Sequence, residues 1–332
     1  MAYNTIRDVV IMHGGLGQLS SEIYDDTWQF DGAQWTLLAV GGPLLRHSHA
    51  MVYDTGRNVN VMFGGRTTGG GSLYLGDTWE LDGNGWTQRS SSGPPARDQH
   101  AMAYDVGRGV TVVFGGWTNT YRGDTWEWNG NTWTSYSIPV GERPSNRRSH
   151  AMVYDAERGV TVLFGGFNGT YLGDTWVWNG TTWTLQATTG IGARYGHAMY
   201  YDAERRVVVL FGGRTAGGLN ARTFEWNGNA WTLRSTEGPS AREAHGVAYQ
   251  TSRGVAILFG GNAGVVDGST WEFNLPCGCG DLNADGAITA ADDLPLFVDV
   301  LLSGRHDCLA DINGDGIVDG DDILPFLAAL DS

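Results

Sequence analysis

Two segments near the C-terminus carry the residue types of a hard-cation site. Asp281-Leu282-Asn283-Ala284-Asp285-Gly286 and Asp311-Ile312-Asn313-Gly314-Asp315-Gly316 place side-chain oxygens at alternate positions and then a glycine. Further oxygens follow at Thr289 and Asp292 in one segment and at Asp319 and Asp322 in the other. Alternate oxygens wrap one side of a calcium ion, the glycine allows a sharp turn, a backbone carbonyl adds a neutral ligand, and a late carboxylate closes the shell. The spacing predicts two calcium ions. One is held by Asp281, Asn283, Asp285, Ala287, Thr289 and Asp292, the other by Asp311, Asn313, Asp315, Ile317, Asp319 and Asp322, with Ala287 and Ile317 acting through their carbonyls. Closure by Asp rather than Glu makes bidentate binding less assured. Residues 281–332 contain twelve Asp, no Glu and one Arg, so most of the net charge of −15 lies there.

A second recurrent group is Arg-x-x-His: Arg46 and His49, Arg97 and His100, Arg147 and His150, Arg194 and His197, Arg242 and His245. Guanidinium groups suit planar oxygen pairs, so these residues are candidates for an anion or a glycan carboxylate. Equally regular is a structural reading, in which each Arg and His bonds backbone carbonyls or a neighbouring Asp. Five near-identical copies favour that reading, because a ligand site usually needs chemically different walls. Ligand candidates are therefore sought where copies differ: Arg66, Trp117, Phe167 and Arg214, each just after a Gly-Gly pair, open variable segments. Exposed aromatic groups mixed with Arg suit a sugar, peptide or protein contact.

The elements that must position these groups follow from the glycines. Gly14-Gly15, Gly64-Gly65, Gly115-Gly116, Gly165-Gly166, Gly212-Gly213 and Gly260-Gly261 recur every 47 to 51 residues. Around each pair lie segments such as AMVYD at Ala50–Asp54, VNVMF at Val59–Phe63, DTWEL at Asp77–Leu81 and a segment opening with Trp86-Thr87. They are short, rich in Val, Phe, Tyr and Trp, and lack a helical period, which marks strands. Asn129-Gly130, Asn179-Gly180 and Asn227-Gly228 supply hairpin turns between the third and fourth strands. Trp28, Trp79, Trp126, Trp176 and Trp271, with Phe224, share one repeat position and are expected to pack between neighbouring sheets. Four strands in about 50 residues is the arithmetic of a β-propeller blade.

The double glycines and the later Trp resemble the kelch family over residues 1–274. The resemblance implies an all-β, six-bladed propeller of four-stranded blades at 1–275, with the Arg-x-x-His pairs at one end of its central channel. The first copy lacks an Arg-x-x-His and the sixth lacks the Trp-Thr strand, so a segment upstream of Met1 is expected, with a signal peptide as one of its parts. The alternative is a three-stranded last blade. After a linker at 276–280, residues 281–332 resemble an EF-hand-like dockerin, of the type in secreted proteins of planctomycete-like bacteria. That resemblance implies a small α domain of two calcium loop-helix units that docks to a cohesin-like or surface-anchoring protein. Its partner-recognition positions fall on Ala290 and Ala291 and on Gly320 and Asp321. The apolar residues Phe297, Val298, Leu301 and Leu302, and Ile323, Phe326, Leu327 and Leu330, trace helix faces. Either Cys277 or Cys279 could pair with Cys308, which suits an extracellular compartment.

Every basic residue is Arg, and acidic residues outnumber them 36 to 21, which makes nucleic acid and anionic membrane poor partners. No apolar run is long enough for a membrane-spanning helix. All three Cys follow the repeats, so a copper site with a Cys joined to Tyr, as in galactose oxidase-like kelch propellers, cannot form within them. Neither a Ser-His-Asp spacing nor HExxH is present, which weighs against an enzyme. The sequence reads as a secreted or surface-attached binding protein whose propeller recognises a protein or glycan and whose calcium-bound module docks or anchors it. The alternative is an extracellular carbohydrate-active hydrolase or lyase.

Overall fold

The computed structural model describes residues 1–18, 22–38, 41–68, 72–188, 190–273, 294–298, 323 and 326–327. Both calcium loops, the three Cys, and Ala290, Ala291, Gly320 and Asp321 lie outside the described residues. Met1–Tyr201 and Val207–Phe273 form one compact unit, and Asp202–Arg206 groups with Asn274–Ser332 in another.

In the first unit the glycine repeat becomes a series of antiparallel sheets of three or four strands in chain order, with short extra pairings of Arg66–Thr68 with Ser72–Tyr74, and of Arg194–Tyr195 with Arg214–Thr215 and Gly218–Leu219. The third is representative: Ala101–Asp105, Val110–Trp117, Tyr121–Trp128 and Trp133–Tyr136 pair in succession. Its register sets Met102 opposite Val113, Val113 opposite Trp126, and Trp126 opposite Ser135. Second strands are buried on both faces, as Val112, Val113 and Phe114 are, and so read as unbroken apolar runs rather than alternating ones. Sheet packs on sheet: Val59, Val61 and Phe63 of the second meet Met102, Val113 and Trp128 of the third. Among the described residues the sixth sheet has three strands, Gly246–Gln250, Val255–Phe259 and Thr270–Phe273. It abuts the first sheet, where the Trp35 indole donates to Thr270 Oγ1 at 2.8 Å and Gln250 donates to Asp8 at 2.9 Å.

The Trp residues divide the hydrogen bonding between two repeat positions. Trp28, Trp79, Trp126 and Trp176 donate their indole N–H to the Asp two residues earlier, each at 2.7 Å, and are only partly buried. Trp79, Trp126 and Trp176 still pack against cores shared with the preceding sheet, as Phe224 does, but the side-chain hydrogen bond between sheets falls to the fourth-strand Trp. Trp86, Trp133, Trp183 and Trp231 each reach back to a threonine of the preceding sheet, Thr27, Thr78, Thr125 and Thr175, at 2.9 Å. A strand-opening Trp has the reach to cross to a neighbour, whereas a mid-strand Trp beside a strand-start Asp finds its partner locally.

The Gly-Gly pairs have a specific physical cause. Gly64 and Gly65 adopt φ of 67° and 100°, which L side chains resist. The turn brings the N–H of Gly65 to the Arg97 carbonyl of the next sheet at 2.9 Å, and Gly15, Gly116 and Gly213 repeat the bond to Arg46, Arg147 and Arg242. A Cβ on Gly64 would lie 2.8 Å from the Arg97 carbonyl oxygen. Gly109 has nearly the same φ, 66°, but a Cβ there meets nothing within 4 Å. Gly109→Ala is therefore expected to cost only the left-handed backbone penalty, about 1 kcal/mol. Gly64→Ala adds a backbone clash and is expected to cost at least about 3 kcal/mol. Urea unfolding of both variants measures the difference, and equal losses would show that the close approach contributes nothing.

Candidate functional site

The site is built on the segments that lead into each first strand. Every Arg of the Arg-x-x-His pairs is buried, at 0 to 2% exposure, and its bonds are internal to its own sheet. Arg46 donates to the Gly64 carbonyl at 2.9 Å and forks onto both oxygens of Asp77 at 2.8 and 2.9 Å. Arg97 and Arg147 do the same with Gly115 and Asp124, and with Gly165 and Asp174. Arg242 donates to Gly260 and to one oxygen of Asp267. The Arg side chain thus ties the strand start to the first glycine, while its carbonyl receives the preceding sheet's second glycine.

The histidines turn inward. His100, His150, His197 and His245 pack edge-on against Phe63, Phe114, Phe164 and Phe211 of the preceding sheets, with ring centroids 5.3 to 5.6 Å apart. His49 meets His13, which stands in the first sheet where the others have Phe, at 5.8 Å. Burial, reinforced by the adjacent Arg97 and Arg242 charges, drives His100 and His245 down to about 3. Burial, and then Arg46, lowers His13 to about 4. These rings are neutral packing groups at physiological pH.

What distinguishes the segments is the residue between. Directly after each Arg come His47, Asp98, Arg148, Tyr195 and Glu243, five different chemistries at one repeat position. Each sits across a short antiparallel bridge from the residue that follows a Gly-Gly: His47 from Arg66, Asp98 from Trp117, Arg148 from Phe167, Tyr195 from Arg214 and Glu243 from Asn262. The next residues, Ser48, Gln99, Ser149, Gly196 and Ala244, all have positive φ, from 53 to 66°. This lets their main chains form a belt. The N–H of Gln99 donates to Ser48, Ser149 to Gln99, Gly196 to Ser149 and Ala244 to Gly196, at 2.7 to 2.9 Å. The belt holds unlike side chains at fixed spacing on a rigid frame.

One sector is aromatic. Trp117 and Tyr121 close the end of the third sheet, with ring centroids 4.7 Å apart, and Phe167 and Tyr171 close the fourth at 5.7 Å. Tyr195 stacks on Tyr171 at 5.5 Å and meets Phe167 edge-on at 5.4 Å. The Arg148 guanidinium lies 5.0 Å from Trp117 and 5.9 Å from both Tyr121 and Phe167. All six residues are half-buried, which leaves apolar faces and polar edges open to a partner. Of the rim candidates, Trp117 and Phe167 belong to this cluster. Arg66 lies 5.5 Å from the Tyr74 ring, and Arg214 pairs with Glu243 at 2.9 Å. Tyr121, Tyr171, Tyr195 and Arg148 were not singled out from the sequence. The signal was available for Arg148 and Tyr195, whose repeat position changes type from copy to copy, whereas Tyr121 and Tyr171 share a position that is Tyr in the second, third and fourth copies.

Asp98 is the unusual charge at this rim. It is fully buried, and neither carboxylate oxygen has a hydrogen bond of good geometry. Burial raises its affinity for a proton, opposed by Gln99 and by the charges of Arg66 and Arg148.

Residues 1–190 match the KLHDC2/KLHL20/DRC7 Kelch-repeats domain. The chain belongs to the kelch-repeat family. Its many four-stranded antiparallel sheets fit a kelch propeller, and kelch repeats point to a protein-binding role. No curated protein matches the chain.

A carboxylate whose folded affinity for a proton is raised favours folding at low pH, and that contribution is lost as pH rises through the folded value. Asp98→Asn in this kelch domain is therefore expected to raise the melting temperature at pH 7 and to leave it nearly unchanged at pH 3. Thermal unfolding at the two pH values checks this; equal shifts at both would mean that Asp98 binds protons alike folded and unfolded, and a lower melting temperature at pH 7 would mean that it is stabilised as a carboxylate.

Proposed function

We propose that this kelch protein is a recognition module, a six-bladed propeller that binds a protein or glycan through the rim formed by His47, Asp98, Arg148, Tyr195 and Glu243. The observation that carries the reading is the aromatic sector centred on Arg148. Half-buried aromatic rings around a guanidinium are what interaction hot spots use. Outside the fifth sheet the repeated Arg side chains are occupied inside the sheets, and the repeated His rings are packed against aromatic rings, so affinity for a partner falls to the rim. A displayed library of peptides, with a glycan array in parallel, tests this. Ligands selected on the wild-type protein are expected to lose at least about tenfold in affinity for Trp117→Ala and Arg148→Ala. Ligands that bind both variants like wild type would overturn the assignment of the site.

Asp98 favours a second reading, a carbohydrate-active enzyme, because a carboxylate with raised proton affinity can serve as a general acid. Glycoside hydrolysis commonly needs two carboxylates. Glu243, the other carboxylate at this repeat position, is engaged by Arg214. Binding is the better supported reading.

We infer that residues 281–332 form a dockerin-like calcium module that attaches the propeller to a cohesin-like or surface-anchoring partner. Support comes from the two loop motifs in identical phase and from Phe297 and Phe326. These are buried, and their rings stack with centroids 4.1 Å apart and an interplanar angle of 6°, as facing helices of such a unit require. The resemblance and the Cys flanking the loops support a secreted or cell-surface setting. Calcium titration of the whole protein, by calorimetry and thermal unfolding, is expected to show two bound ions and stabilisation of a minor transition. No binding at millimolar calcium would sink this part of the reading.

A further inference from the structure

The fifth sheet, Ala198–Asp202, Val207–Phe211, Thr223–Trp226 and Trp231–Ser235, departs from the others at the clamp. In the second, third, fourth and sixth sheets the buried Arg is neutralised by Asp77, Asp124, Asp174 or Asp267, at 2.7 to 2.9 Å. In the fifth, the clamp residue is Arg194 and the position of the Asp is taken by Arg222. The Trp that secures the Asp through its indole N–H is replaced in the same sheet by Phe224, which has no such donor. Carboxylate and anchor have changed together.

Arg194 keeps only the carbonyl half of the clamp. Its Nε donates to Gly192 and its Nη1 to Gly212, both at 3.0 Å. Among the described residues no carboxylate pairs with Arg194 or with Arg222. Phe224 lies against one face of the guanidinium, 4.7 Å from Cζ. A ring on the face does not replace an acceptor in the plane, because the N–H bonds point outward along the edge. The edge that forks onto aspartate in the second, third and fourth sheets is thus unneutralised, on a side chain only 2% exposed. Burial, together with repulsion from Arg222, pushes Arg194 down to about 10. Access is available, since the carboxylates that fill this slot elsewhere are 18 to 34% exposed and Arg222 itself is exposed.

We propose that the Arg194–Arg222 slot of the fifth sheet binds an external carboxylate, which takes the place of the missing aspartate between the two guanidinium groups. The fork of Arg194 favours a planar, two-oxygen ligand over a spherical anion, and Arg222 supplies a second charge from the solvent side. An acidic side chain of a partner protein and a free small carboxylate share this chemistry. This inference does not depend on the aromatic rim.

Thermal unfolding of the full chain in sodium acetate, against sodium chloride of equal ionic strength, reads the site. Wild-type protein is expected to melt several degrees higher in acetate. Arg222→Asp rebuilds the clamp found in the neighbouring sheets, and is expected to melt higher than wild type without acetate and to gain nothing from it. Arg222→Ala leaves the Arg194 edge open and is expected to keep a weaker response, which separates loss of a charge from filling of the slot. A doubly capped Gly-Asp-Gly peptide forms the second arm. A larger shift with the peptide than with acetate assigns the slot to a partner's side chain, and an equal shift assigns it to a free carboxylate. If wild type and Arg222→Asp respond alike to acetate, or neither responds to either ligand, the proposal is wrong.

Discussion

The contact on which the propeller rests is the approach of one sheet's Arg carbonyl to the double glycine of the sheet before it. Gly65 donates to Arg97, and the same bond recurs at Gly15, Gly116 and Gly213. The bond requires a main chain with positive φ and no side chain, because a Cβ on Gly64 would stand within 3 Å of the carbonyl oxygen. The Arg that presents that carbonyl then folds its side chain back onto the first glycine of its own sheet and onto a strand-start aspartate. A single tetrapeptide therefore joins the preceding sheet, through its backbone, to its own sheet, through its guanidinium.

This double use explains where recognition can reside. A guanidinium at 0% exposure with four internal acceptor atoms has nothing left for a ligand, and a neutral imidazole packed on Phe contributes shape rather than charge. Selection for a partner can act only on the positions the latch leaves free. These are the residue after each Arg and the residue after each Gly-Gly, which the bridges bring side by side. The same logic marks the fifth sheet, where the latch keeps its backbone half and loses its carboxylate, so that a structural position becomes chemically available.

Much of this was legible in the residues. Short apolar segments without a helical period, six double glycines at nearly constant spacing and Asn-Gly turns dictate short antiparallel strands in a repeating pattern, and the sheets appear in that order. The structural reading of Arg-x-x-His was legible in its regularity, because Asp124 and Asp174 recur in phase with Arg97 and Arg147. The division of labour among the Trp residues was not. Trp126 and Trp133 look alike in sequence, yet one bonds its own Asp124 and the other reaches Thr78 of the preceding sheet, a choice set by the separation between sheets.

The sequence by itself determined the local elements and the identity of the varied positions, since strand period, turn chemistry and glycine conformation act over a few residues. Tertiary structure alone decided which varied positions meet. Trp117, Arg148, Phe167 and Tyr195 lie up to 78 residues apart in the chain and gather because belt hydrogen bonds from sheet to sheet fix their spacing. It alone also decided that Asp98 is buried while Glu243 pairs with Arg214, because desolvation and ion pairing depend on neighbours contributed by different sheets.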